Sequence, residues 1–478
     1  MTDCLPTPAE ADNIPAPPAR ETTAPAFAGP FFERTDWRAF ALTAAMLLAV
    51  YLWTLAPDVT LENSGMMATG ATYGGIINPP GYPLWTIYSW LFTHLLPFST
   101  IAWRVGVGSG VAATLAGGLV ALMVSRGGKL LLENSPGFAR RSLADQNLMR
   151  IVCGCVAGLA LGFSVPVWQK AVIVDIWTFG ELVFGIMLCL LMRWMAEPNA
   201  RKYLYRAALV YSMLVTERWE MLVLAPGLLT LVFISAPKLG RDLFFATATV
   251  TFLIWLCVKF GLPQFLSYFG LSDELKWFFA FAFAPAAVAA LVFIAMKRSA
   301  GSEWKAATIC MIMVFLGLGC FFYLPIASMM NPPVNWGYPR TIEGFYHCIS
   351  RGQYEELHPT HNWYLFGAQL CMVAKDTSNA FGWYYLPFAV LPFCFLHKMQ
   401  PAAQKWLFGP IVIFIYVGPV LIAMLNPSAD KQSMELHQPY WSALYVALAM
   451  WAGLGMITLA AMTPPAWGRT KSKAAAER

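Results

Sequence analysis

Apolar residues in this chain come in blocks of about twenty divided by short polar or basic intervals, the pattern of helices that cross a bilayer. Such blocks run from Trp37 to Leu55, Ile101 to Val124, Ile151 to Val167, Ala171 to Met192 and Leu243 to Leu262. They continue from Trp277 to Met296, Ala306 to Ile326, Phe381 to Leu396, Trp406 to Leu425 and Tyr440 to Ala461. Two stretches depart from the pattern. Tyr82 to Pro97 is apolar but too short to span, and reads as an external interfacial helix. Residues 207–235 are long enough, yet Glu217, Arg218 and Glu220 fall in the middle. A charge at the bilayer centre costs on the order of 3 kcal/mol, so three together predict a pair of short helices that dips in and returns. The expected fold class is an all-α polytopic membrane protein, with ten spans and one re-entrant pair.

Composition agrees. Hydrophobic residues make up 58% of the 478 and charged ones 12%, against roughly 25% charged in a soluble domain. The net charge of +6 does not point to nucleic acid, because the basic residues are scattered between spans and mark topology instead. Arg34 and Arg38, the run from Arg126 to Arg150, Arg193 to Arg206, Lys238 and Arg241, Lys297 to Lys305, and Lys398 and Lys405 then share one side. That side is expected to be cytoplasmic, with both termini on it. Most of the ten cysteines fall in apolar runs, where they are ordinary packing residues, and no CxxC appears. The first apolar run continues as a full span, so no cleavable signal is expected. The chain divides into a disordered Ala/Pro/Thr-rich tail at 1–34, a transmembrane module at 35–326 with its first external loop at 56–100, and an external cap at 327–379. C-terminal helices at 380–462 and a basic tail at 463–478 complete it.

Candidate chemistry starts in the first loop, where residues 57–85 read PDVTLENSGMMATGATYGGIINPPGYPLW. Asp58 and Glu62 are its acids, and no Lys or Arg follows before Arg104. Irregular backbone beside a bilayer must sit in water or line a protein cavity. Met66, Met67, Tyr73, Ile76, Ile77, Tyr82 and Trp85 predict the second, a loop folded down to build a site. Asp58, at a span end, reads as a turn residue. Asp175 is an acid early in a span with Lys170 as its candidate partner, and is a second acid available to a cavity. Arg104 and Arg218 are the candidate phosphate binders, with Lys170 beside them, since guanidinium forks match phosphate oxygens. Arg218 is equally open to neutralisation by Glu217 or Glu220. In the cap, Arg340 and Arg351 are candidates to meet a substrate, whereas His358 and His361, open to the same role, read first as solvated cap residues. Trp85, Trp177, Trp219, Trp336 and Trp363 offer flat faces for a ligand, or simply belt the interface.

The runs TLENSGMMATGATYGGIINPPGYPLW, IAWRVGVGSG, VWQKAVIVDIW, TERWEMLVLAPG and YLPIASMMNPPVNWGYPRTIEGFYHCISRGQY lie in this order along most of the chain. Together they resemble the bacterial multi-spanning glycosyltransferase family 117, which is similar to protein O-mannosyltransferases and belongs to the GT-C membrane glycosyltransferases. The resemblance implies a GT-C-like helical bundle in a bacterial inner membrane, with a first-loop site facing the periplasm. It implies an inverting transfer of a hexose, mannose-like, from a polyprenyl-phosphate donor to a protein or glycan acceptor. It also implies an acid in the first loop as general base, for which Glu62 stands. The family's loop carries acids where this chain has Asn63 and Met66, and a His where it has Asn78. Asn63, Asn78, Tyr82, Trp85, Trp219, Arg340 and Arg351 are the expected substrate contacts. No cofactor is expected. No Asp-x-Asp occurs in an external loop, so no obligatory metal is expected, and a divalent ion is left open. The other reading is a non-catalytic lipid-glycan binder, transporter or envelope scaffold. A transporter should show paired broken helices in two similar halves, and only one broken pair is visible.

Overall fold

The computed structural model describes residues 30–61, 63–133, 135–260, 273–297, 301–352, 354, 357–399 and 401–462. Glu62, residues 1–29 of the expected N-terminal tail and the basic tail at 463–478 lie outside the described residues. From Phe32 onward the described chain is helical. α1 (Arg34–Thr54) is followed in the first loop by α2 (Ser64–Tyr73) and α3 (Pro83–Leu95), then by α4 (Ile101–Leu132) and one-turn α5 (Pro136–Ala139). Next come α6 (Leu143–Gly162), α7 (Val165–Ala171), α8 (Trp177–Ala196), α9 (Lys202–Glu217) and α10 (Ala225–Ser235), the last two joined by a 3₁₀ turn at Trp219–Leu224. α11 (Pro237–Lys259), α12 (Asp273–Lys297), α13 (Trp304–Leu318) and α14 (Tyr323–Met329) lead to the cap, which holds α15 (Ile342–Ile349). The chain ends with α16 (Trp363–Phe381), α17 (Leu386–Val390), α18 (Pro401–Ile415), α19 (Leu421–Leu425), α20 (Lys431–His437) and α21 (Ser442–Met462).

Among the described residues, eight helices are long and apolar enough to cross a membrane, or up to ten if each of two bent pairs counts as one span. α6 and α7 form one bent pair, at 70°, and α16 with the segment to Leu396 forms the other, at 109°. Both bends depart from the expected layout. Trp168 to Lys170, which fall between two expected spans, are helical in α7, because Pro166 restarts a helix after the break at Phe163 and Ser164. The second half of the expected cap, 327–379, is α16, and the span expected from Phe381 begins at its sharp bend instead. Gly382, at φ 78°, and Pro387 account for that bend.

α4 is the centre of the bundle. It packs against α1, α6, α8 and α21, and 83% of its spanning window is buried. Small residues allow the approach: a Cβ on Gly154 of α6 would lie 2.7 Å from the Ala121 carbonyl of α4. Without a hydrophobic drive between helices in lipid, such close backbone packing supplies much of the association.

At one end the bundle is tied by charge. Glu33 caps α1 and receives Arg126 at 3.0 Å, Lys129 at 2.5 Å and Arg150 at 3.0 Å. Arg150 also meets Asp36 at 2.8 Å. At the other end α3 begins on PPGYPLW, where a cis Pro79–Pro80 bond, Gly81 at φ 100° and Tyr82 at φ 45° turn the chain into Pro83. No side chain of its own caps α3. Glu217, from the end of α9, does so instead: its two oxygens accept from the amides of Leu84 at 2.9 Å and Trp85 at 3.0 Å. A carboxylate there satisfies two orphan donors and faces the positive end of the helix dipole.

The expected pair of short helices at 207–235 corresponds to α9 and α10, joined through the 3₁₀ turn. α9 packs on α8 and α13, whereas α10 packs on α11, α12 and α18. Arg201 before α9 and residues 236–239 after α10 line one cavity, so both legs end at the same level.

Two predictions follow from these ties. Glu217→Ala leaves two buried amides without an acceptor and should lower stability by about 2 kcal/mol in detergent unfolding, while exposed Asp58→Ala should change it by less than about 0.5 kcal/mol. Equal effects would remove the capping role. Burial would raise the Glu33 carboxyl, but the Lys129 hydrogen bond and the Arg150 charge outweigh it and hold the group at about 2, down from 4.5. A depressed carboxylate adds stability above its unfolded value and loses it as the pH falls toward the folded one. The unfolding midpoint should therefore fall between pH 4.5 and 2, and less steeply in Glu33→Gln. An identical acid profile in the variant would refute the assignment.

Candidate functional site

The break between α9 and α10 is where the charged and aromatic residues converge. Arg218, 3% exposed, has an extended backbone that ends α9, and its guanidinium is fully engaged. Nε donates to Glu220 at 2.6 Å, Nη1 to the Ser442 hydroxyl at 3.1 Å, and Nη2 to the carbonyls of Pro439 at 3.0 Å and Tyr440 at 2.8 Å. It also lies 4.9 Å from the Trp177 ring centre. Of the two partners that the sequence left open, Glu220 takes the ion pair and Glu217 caps α3. Arg218 is a tie between the break and the start of α21, which differs from the expected open phosphate site.

Asp175 is buried just ahead of α8. Its carboxylate accepts the Trp177 amide at 2.8 Å and pairs with Lys170 at 3.3 Å. Its carbonyl accepts from the Trp85 indole at 3.0 Å and from the Ser109 hydroxyl at 3.1 Å. Trp85, expected at a substrate, is thus buried and holds the α8 entrance to α3.

The cap reaches this junction through Arg351. Its backbone is left-handed at φ 58°, and its guanidinium sits 4.3 Å from both the Trp219 and Tyr354 rings. It also reaches the Tyr440 hydroxyl. Its Nε is buried with no hydrogen-bond partner. Tyr82 stands nearby, and burial, followed by Tyr440 and Glu220, raises its phenol well above the usual value. The hydroxyl therefore stays protonated and able to donate. Trp177 packs edge-on against Tyr440 at 5.0 Å. The result is a ring of aromatic faces around one arginine, with surfaces suited to a sugar and a fork suited to an anionic oxygen.

Other expected site residues lie elsewhere. Arg104 donates to the carbonyls of Phe98 at 3.0 Å, Thr93 at 3.1 Å and Ser99 at 3.1 Å, clamping the turn between α3 and α4. It is not brought to the junction. Arg340 is exposed, bonded to Asn331 at 2.8 Å. Asn63 is an exposed left-handed residue ahead of α2, and Asp58 is exposed too. Asn78 is half-buried beside the PPGYPLW turn, and its side-chain oxygen has no partner. His358 and His361 contact Glu274 at 3.1 and 3.6 Å, and Trp363 is 85% exposed. Sequence reasoning missed Tyr354, Tyr440 and Glu181. Glu181, buried in α8 with one oxygen unpartnered, carried a readable signal as a lone acid inside an apolar span. Tyr440 and Tyr354 carried none beyond being aromatic.

Residues 64–240 match the family model described as the protein O-mannosyl-transferase TMEM260 N-terminal domain. The match begins just after Glu62 and contains Asp175, Glu217, Arg218 and Glu220. Protein O-mannosyl-transferase TMEM260 of Mus musculus is 28% identical over 171 residues, which is 35% of this chain and 21% of that protein. Protein O-mannosyl-transferase tmem260 of Dictyostelium discoideum is 22% identical over 143 residues, 30% of this chain and 15% of that protein. The similarity thus spans about a fifth or less of these relatives' own length. Over residues 64–240 the chain is similar to the N-terminal domain of TMEM260-type protein O-mannosyl-transferases.

Proposed function

We propose that the chain is a membrane glycosyltransferase that moves a hexose, mannose-like, from a polyprenyl-phosphate donor to a protein or glycan acceptor. The reading rests on its O-mannosyltransferase-like sequence at 64–240. The observation that carries it is Arg351 held between Trp219 and Tyr354 over the Glu217–Glu220 break. The site then lies on the side away from the basic loops, outside the cytoplasm, with both termini inside. The relatives named above are from a mouse and a slime mould, so the proposal concerns the side of the membrane and not the cell type.

In an inverting transfer the acceptor oxygen attacks the anomeric carbon while the bond to the donor phosphate breaks. The bonding pair leaves on the phosphate oxygen, and the acceptor proton passes to a carboxylate. Arg351 is the cation placed to meet the departing phosphate charge, in preference to Arg104 or Arg218, whose donors are taken. Trp177, Trp219 and Tyr440 supply sugar-facing surfaces. Glu62 is the proposed base, with Asp175 next in line.

A second reading, a binder of lipid-linked glycan without turnover, draws on one specific observation. Three of the buried acids at the junction already have structural partners: amides for Glu217, Arg218 for Glu220, and Lys170 for Asp175. Purified protein with a radiolabelled polyprenyl-phosphate hexose separates the readings. Binding without transfer would select the second.

Arg351→Lys keeps the charge but loses the fork and the flat stacking surface. The donor KM should rise roughly tenfold with stability little changed. An unaltered KM would exclude Arg351 from the donor site. Glu62→Gln should lower transfer by ~10²- to 10⁴-fold with normal stability and donor binding. Asp175→Asn removes the ion pair with Lys170 and should lower stability by about 1 to 3 kcal/mol whatever its effect on rate. Near-full transfer by Glu62→Gln would move the base to another carboxylate.

A further inference from the structure

Far from this junction, at the ends of α9 and α10 where basic residues gather, the bundle opens a cavity of about 590 Å³. It lies between Arg201, the turn at 236–239, Phe293 and Glu303. The sixteen-residue α9 separates Arg201 from Glu217, about 24 Å of helix, so this is not the proposed transfer site.

The charges lining it and packed behind it are largely settled. Arg201 Nη2 pairs with Glu303 at 2.8 Å, and Arg241 pairs with Asp242 at 2.6 Å while resting 5.3 Å from the Phe293 ring centre. Asp242 also accepts from the amides of Gly301 at 3.3 Å and Glu303 at 2.6 Å, which fixes the start of α13. Two positive features remain. Arg201 Nη1 is buried with no hydrogen-bond partner, and Lys238 stands exposed on the rim. The remaining walls, Pro237, Leu239 and Phe293, are apolar.

The surrounding helices indicate what kind of molecule fits. Only 28% of the spanning window of α11 is buried, 11% in α12 and 17% in the span Trp304–Met329 that begins with α13, against 83% in α4. Their apolar outer faces, with Phe245, Phe281 and Val292 exposed, meet the acyl region of a bilayer. A half-open cavity with spare cationic donors at the headgroup end of lipid-facing helices suits a ligand that is an anion at one end and hydrocarbon at the other. We propose that this cavity binds an anionic phospholipid, its phosphate taken by the part-exposed Arg201 guanidinium and the Lys238 ammonium and its chains laid along α11 and α12.

Protein purified in a neutral detergent is titrated with phosphatidylglycerol, phosphatidylcholine or glycerol 1-phosphate, reading the thermal unfolding midpoint and lipid retention by native mass spectrometry. Phosphatidylglycerol should raise the midpoint and be retained, and the other two should do neither. A cation near the headgroup contributes enough for Lys238→Ala, which leaves the ion pairs among the described residues intact, to raise the half-saturating phosphatidylglycerol concentration about fivefold. Arg351→Lys should leave the lipid effect unchanged, which separates this site from the proposed donor site. Equal stabilisation by phosphatidylcholine would reduce the effect to general solvation. Equal stabilisation by glycerol 1-phosphate would point to a free anion in place of a lipid. An unchanged response in Lys238→Ala, or a lost one in Arg351→Lys, would place the lipid elsewhere.

Discussion

A charge buried inside a membrane bundle must have a partner, and the break between α9 and α10 is built around that constraint. Glu217, Arg218 and Glu220 are all at most 3% exposed, and leaving one partner of such a set unpaired costs about 3 to 5 kcal/mol. Their bonds run to three other parts of the chain. Glu217 starts α3, Arg218 holds the backbone ahead of α21, and the Arg218 guanidinium lies over Trp177 at the start of α8. A helix that ran straight through would carry these groups to places where no such partners exist. The break and the assembly of the first loop, α8 and α21 are one event.

The first loop and the cap are joined in the same economical way. Ile76 forms an isolated parallel bridge with Asn335, donating to Val334 at 2.8 Å and accepting from Trp336 at 3.0 Å. Gly75 must be glycine for this approach, since a Cβ there would lie 2.6 Å from the Val334 carbonyl. Tyr323 reaches back to the Gly74 carbonyl at 2.7 Å. These contacts anchor the start of the cap, and α15 then delivers Arg351 to Trp219. A folded-down first loop is therefore part of the cap's foundation as well as a candidate wall of the site.

Against that arrangement, the stretches that sequence reasoning read well share one property: their meaning is local. The short helix at Tyr82–Pro97, the charge cluster that interrupts 207–235 and the pairing of Lys170 with Asp175, five residues apart in the chain, needed only neighbouring residues. The misplaced features depended on where a helix stops. Pro166 could have ended a span or restarted one, and the polar residues Lys375 and Asp376 disguised α16 as part of the cap. Asp376 is in fact held by Gln438 at 2.7 Å and Tyr445 at 2.8 Å, partners on the far end of the chain. Arg104 misled for a related reason. A guanidinium suits a phosphate and a set of loop carbonyls equally well, and only geometry tells which is present.

Apolar period and charge density depend on residue type and spacing, so the sequence alone determined that this is a polytopic helical membrane protein whose helical pattern is interrupted at 217–220. It also located the residues whose chemistry would be worth following. Which of those residues meet was decided by tertiary structure. Glu217 and Leu84 are 133 positions apart, Arg218 and Tyr440 are 222, and Trp85 and Asp175 are 90. No spacing rule relates positions so distant. Their pairing follows from the low dielectric of the bundle, which punishes every buried charge or amide left without a partner and so selects the one fold in which these groups find each other.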